Sequence, residues 1–151
     1  MPELNVFLMA MSPLAELRGA IPLALGVYHL PIVSAFLISV IGNIFPIIFI
    51  LLFLEPISKF LSSRFSFFNK FFNWLFERTR RRNSAFFAKW QNWALMFFVA
   101  IPLPFTGAWT GALCAFVFGI PFKKALPIIF LGIIVAGVLV SLATLGIIKI
   151  V

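Results

Sequence analysis

Aspartate does not occur in this chain of 151 residues, and only four glutamates (Glu3, Glu16, Glu55 and Glu77) supply negative charge. Cysteine and histidine occur once each, as Cys114 and His29. A single cysteine excludes an intrachain disulfide and a cysteine-built metal site. One histidine without any aspartate is too little material for a serine–histidine–aspartate triad, and metal ligands are equally scarce. No glycine-rich nucleotide loop is present. These absences point away from an enzyme and lead us to expect no cofactor and no metal. Charge of either sign is also scarce: charged residues make up 11% of the chain and hydrophobic ones 63%. So few charges cannot cover the surface of a soluble domain. The solvent for most of this chain is therefore expected to be lipid.

What charge there is, is lopsided. Twelve basic residues give a formal net charge of +8, and eight of them fall between Lys59 and Lys89, between two apolar halves. Basic residues resist translocation and are attracted to anionic headgroups, so this is the pattern of a cytoplasmic loop. Nucleic acid is not an expected partner. The first 29 residues do not read as a signal peptide, because they lack a basic leading region and Glu16 and Arg18 interrupt the apolar run.

Two stretches, 31–54 and 125–148, each run 24 residues without a charge. At about 1.5 Å per residue each reaches about 36 Å, enough to cross a hydrocarbon core of about 30 Å. Pro46 and Pro127 are places for local kinks. Two further apolar segments, 5–29 and 93–120, make poor straight spans. The second carries Pro102, Pro104, Gly107 and Gly111 at its middle, where proline removes a donor and glycine loosens the helix. A broken backbone at membrane depth is tolerated only inside protein or beside a water-filled cavity, so both segments are expected to be re-entrant helical hairpins.

The halves match weakly at an offset of 90: Ala10, Pro31, Ala35, Ile38 and Gly42 align with Ala100, Pro121, Ala125, Ile128 and Gly132. The expected fold is an all-α integral membrane protein forming one membrane domain. It has two inverted repeats, 1–54 and 93–151, each a hairpin plus one transmembrane helix, joined by a cytoplasmic amphipathic linker over 55–92. This arrangement puts ten of the twelve basic residues in the cytoplasm and both termini outside. Four straight spans would instead separate Lys123 and Lys124 from the basic loop.

In the linker, PISKFLSSRFSFFNKFFNWLFERTRRR, polar and phenylalanine positions alternate at spacings of three and four. This predicts an amphipathic helix lying in the interface. Arg78, Arg80, Arg81 and Arg82 follow it, placed for contact with lipid phosphates. A topology anchor is the plain reading, and a regulatory or partner-binding role is the other.

The candidate functional residues start from MSPLAELRGAIPLALG, residues 11–26. An ionisable group at the bilayer centre costs about 2.5–3.5 kcal/mol on insertion scales, and this stretch carries two. Positions i and i+2 point to nearly opposite sides of a helix, so Glu16 and Arg18 do not pair within a regular turn. Either the helix breaks near Gly19 or each reaches a partner elsewhere. In one reading both cap or snorkel at the headgroups. In the other they line a polar pocket, with Arg18 binding an anion and Glu16 exchanging protons. Thr106, Trp109 and Thr110 sit beside backbone amides freed by the second break, and half-helix N-termini favour anions. Gly107 and Gly111 also form a G-x-x-x-G, which signals either close helix packing or the lining of a substrate path. Pro13, Gly19, Pro22, Pro102, Pro104, Gly107 and Gly111 are expected to shape the hairpin tips. Asn43 is either a structural hydrogen-bonding residue or part of the pocket. His29 is expected at the interface and Cys114 as a packing residue.

The segments PLAELRGAIPLALG, IGNIFP and PLPFTGAWTGALCAFVFG resemble the small multidrug export protein family, a bacterial and archaeal relative of the DedA (SNARE-associated) membrane proteins. Glu16, Arg18, Gly19, Pro22, Asn43, Pro102, Pro104, Thr106, Gly107, Trp109 and Gly111 fit the family pattern. Phe105 departs from it, standing where a small residue is expected. The resemblance implies paired re-entrant hairpins in inverted repeats. It also implies translocation of an anionic amphiphile or lipid-linked phosphate such as undecaprenyl phosphate, with dependence on the proton gradient. The expectation is a small transporter in the plasma (inner) membrane of a bacterium or archaeon. Its partners would be membrane lipids, an amphiphilic substrate and a second copy in a homodimer, since one copy encloses little volume. Two alternatives stand beside it: a proton-coupled exporter of cationic drugs, and a non-transporting membrane organiser acting through its amphipathic helix.

Overall fold

The computed structural model describes residues 1–80, 85–101 and 106–151, with side chains for all of these except 75, 76, 78–80 and 85–89. Helix is the only regular structure among the described residues. Helix α1 (Pro2–Met11) starts with proline in its first turn, where the missing N–H is an orphan anyway, and stops at Ser12 before Pro13. Helix α2 (Glu16–Pro22) runs into one π-helical turn at Leu23–Val27. Pro22 has no N–H to give the preceding turn, and the ladder widens after it: Tyr28 donates to Leu23 and Leu30 to Ala24.

Helix α3 (Ile32–Arg64) is 33 residues long, about 50 Å at 1.5 Å per residue. The uncharged run at 31–54, apart from the capping Pro31, therefore lies within a helix that continues ten residues past Leu54. Glu55 and Lys59 pair at i and i+4, 3.3 Å apart, and the Ser58 hydroxyl donates to the Glu55 carbonyl; both lie in the turn that follows the one Pro56 weakens. The chain becomes extended only at Phe65 (φ −124°, ψ 120°). The amphipathic segment expected from Lys59 onward is thus divided. Its first turns belong to α3, and the separate helix α4 covers Ser66–Arg80. Phe72 docks α4 edge-on against Phe116 of the second half.

Helices α5 (Ala85–Ala100) and α6 (Ala108–Val117) precede α7 (Phe122–Ile150). The order of two short helices and a long one thus occurs twice. Both segments expected to be interrupted are divided between two helices: α1 ends at Met11 and α2 starts at Glu16, and α5 ends at Ala100 and α6 starts at Ala108.

Glycines set how closely these helices approach. A Cβ on Gly42 would lie 2.8 Å from the Phe7 carbonyl oxygen and 2.9 Å from Ala10, so α1 rests on the α3 backbone. A Cβ on Gly132 would lie 2.8 Å from Val99 and 3.0 Å from the Met96 carbonyl oxygen, so α5 rests on α7 in the same way. These are the two glycines aligned at the offset of 90. Gly137 takes the ring of Phe36 and joins α3 to α7. Small and branched residues such as Ala35, Ile47, Ala125, Ile129 and Ile133 fill the shared core. Leu37, Phe49, Phe53, Leu131 and Leu142 point outward and are exposed. An apolar exterior over two helices long enough to span suits lipid as solvent.

Candidate functional site at the junction of the two breaks

Each break leaves backbone groups without helical partners, because the last carbonyls and first amides of a helix have none. The first break brings Glu16 to the second. In the turn, the Glu16 amide donates to the Ser12 carbonyl, and Glu16 itself has a φ of +50°. That left-handed conformation is uncommon for a residue with a side chain, and it costs about 1–2 kcal/mol. It directs the carboxylate, whose residue is 5% exposed, at the start of α6. There the amides of Ala108 and Trp109 each donate to one carboxylate oxygen, at 3.3 Å.

Arg18 reaches the other side of the same gap. Its Nη2 donates to the carbonyl of Ile101, just past the end of α5, and to Oγ1 of Thr106, both at 2.9 Å. The Thr106 hydroxyl donates to the same Ile101 carbonyl at 2.8 Å. The acid therefore meets the positive end of α6 and the base meets the negative end of α5, the favourable placement for each charge. A spacing of two residues suits this because it sends the side chains apart, toward the two lips of one gap.

Gly107 is what lets the acid in. Its φ is +127°, and a Cβ there would collide with the Glu16 carboxylate. Gly111 acts within the second half: a Cβ on it would lie 2.5 Å from Cγ2 of Val99 on α5. The two glycines of the G-x-x-x-G thus divide the roles read from them, one admitting the carboxylate and one packing. Gly19 packs α2 on α1, with its Cβ position 2.9 Å from Ala15 and 3.5 Å from Met9 Sδ. Pro13 lies in the first break and Pro22 at the onset of the π-turn.

The expected site residues are only partly brought together. Glu16, Arg18, Thr106, Gly107 and the Trp109 backbone meet at the junction. Trp109 also buries an indole N–H that has no partner among the described residues, as do Asn43 Oδ1 and Ser39 Oγ, one turn apart on α3. Thr110 is half-buried on α6 and bonds neither charge. The amides expected to be free for a ligand are held by Glu16 instead. Pro102, Pro104, Phe105, Arg81 and Arg82 lie outside the described residues, as do the side chains of Arg78 and Arg80. Sequence reasoning missed the Ile101 carbonyl, whose only signal was the proline after it, and Ser39, which stands four residues before Asn43.

Two apolar helices of spanning length, and a junction between short helices that joins a buried acid to a half-buried base, define a small helical membrane protein. A family model described as Putative small multi-drug export protein matches residues 16–139, and the chain belongs to that family. No curated protein and no solved structure matches it.

Proposed function

We propose that the protein is a small plasma-membrane transporter of an anionic amphiphile, such as a lipid-linked phosphate, working at the junction of its two breaks. The observation that carries this reading is the seat of Glu16: a buried carboxylate on the α6 N-terminus, with the Arg18 guanidinium across the gap. The α6 amides and Arg18 are the groups that would receive a phosphate, and the chain's own acid holds that place. In this reading Glu16 takes up a proton, releases the α6 amides to the headgroup, and returns its proton on the other side. The interrupted pairs act as re-entrant hairpins of two inverted repeats, as in a DedA-like translocase, with the basic loop in the cytoplasm and a second copy completing the enclosure.

Substituting Glu16→Gln and Arg18→Ala and following exposure of the carrier lipid tests this. Each variant is expected to lose about tenfold or more in rate, the effect of losing a hydrogen bond to a charged group at about 1.5 kcal/mol or more. Unchanged translocation in both would remove the site. The family description, multi-drug export, favours a second reading, in which we take the drugs to be cationic and their export to be proton-coupled. Under it Glu16→Gln abolishes drug tolerance, whereas Arg18→Ala does not weaken it, because a like charge hinders the substrate.

A further inference from the structure

Away from the junction, the last turns of α3, the first half of α4 and the α6–α7 turn enclose a cleft of about 780 Å³. That lies within the roughly 300–1,000 Å³ of small-molecule sites. One side is apolar, from Leu51, Phe72, Phe116 and Phe122. The other is polar but almost uncharged. The hydroxyls of Ser58 and Ser63 are committed to carbonyls one turn back, and Asn73 donates to Asn69. Ser62 and Asn69 add a hydroxyl and an amide to the same wall.

Among the described residues the charges lining the cleft are Glu55 and Lys59, one of each sign, paired at 3.3 Å with both side chains largely in the open. This balance is unusual in a chain of net charge +8, and it disfavours a purely anionic occupant. Leu51 and Glu55 also mark where the apolar run of α3 gives way to charge. A molecule seated there meets hydrocarbon on one side and water on the other.

We infer that this cleft binds a zwitterionic amphiphile, its phosphate toward Lys59, its ammonium toward Glu55 and its chains along the phenylalanine wall. An exposed ion pair holds its partners weakly, so a phosphate and an ammonium can replace the internal pair charge for charge. This site is separate from the Glu16–Arg18 junction and rests only on the protein's being in a membrane.

The test is native mass spectrometry of the full-length protein from micelles containing equal amounts of phosphatidylethanolamine and phosphatidylglycerol. The wild type is expected to retain phosphatidylethanolamine preferentially. Glu55→Lys is expected to shift the ratio toward phosphatidylglycerol by about fivefold, the upper range for an exposed ion pair. Combining it with Lys59→Glu restores the pair in reverse order and is expected to restore the ratio, which also shows that the variants fold. Lys149→Ala, in the last turn of α7 and outside both sites, is expected to leave the ratio unchanged. Equal ratios in wild type and all variants, or a preference of the wild type for phosphatidylglycerol, would overturn the assignment. An equal shift with Lys149→Ala would mean that overall charge rather than the cleft sets the ratio, and would overturn it equally.

Discussion

At the start of α6 the amides of Ala108 and Trp109 have no partner in their own helix, and the carboxylate of Glu16 accepts from both. Removing it leaves two donors in a dry place, and each unsatisfied group costs about 1–3 kcal/mol. Glu16→Ala is therefore expected to lower the thermal stability of the purified protein more than Glu16→Gln, which keeps one acceptor oxygen. Thermal denaturation in detergent reads the order. Gly107→Ala combines a left-handed backbone with a collision against that carboxylate, at about 1–3 kcal/mol for the overpacking alone. It is expected to reduce the melting temperature by several degrees, whereas Gly26→Ala, with open space around it, is not. The sequence made Glu16 and Arg18 conspicuous because charges are rare in it. It could not identify their partners, since the Ile101 carbonyl and the two amides are backbone groups that every residue carries.

Helix interruptions were legible because proline and glycine write them into the sequence: Pro13 marks the first, and Gly107 closes the second. Where α3 stops was not. The first charges after a long apolar run looked like the end of a helix, yet Glu55 and Lys59 stand at the spacing that supports one. The likeness of the two halves showed only faintly in the sequence, in five aligned positions, because packing constrains a few small residues and leaves the outward-facing ones free to vary. Gly42 and Gly132 are the informative pair. Gly42→Ala must push α1 off α3 and is expected to destabilise by about 1–3 kcal/mol. Gly146→Ala, which meets nothing within 4 Å on α7, is expected to be neutral or to gain up to about 1 kcal/mol of helix propensity. Melting curves of the two variants side by side check the contrast. If Gly42→Ala were the more stable of the two, the close α1–α3 contact would be wrong.

For the molecule as a whole, the two halves hold each other shut. The start of α2 supplies both charged side chains, and the end of α5, Thr106 and the start of α6 supply the hydrogen-bond partners named for those side chains. In the proposed topology the basic end of α3 and the α6–α7 turn share the cytoplasmic side. With Cys114 replaced by alanine, single cysteines at Arg64 and Lys124 are expected to react with an impermeant thiol reagent from that side only. Labelling from opposite sides would refute paired re-entrant hairpins. The most direct measurement of the central claim is a solid-state NMR dipolar coupling, in lipid, between the Glu16 carboxyl carbon and the amide nitrogens of Ala108 and Trp109. Oxygen–nitrogen separations of 3.3 Å to each amide predict a weak but measurable coupling to both, which Gly107→Ala abolishes. No coupling to either amide in the wild type would mean that the acid lies outside the junction, and would contradict the account.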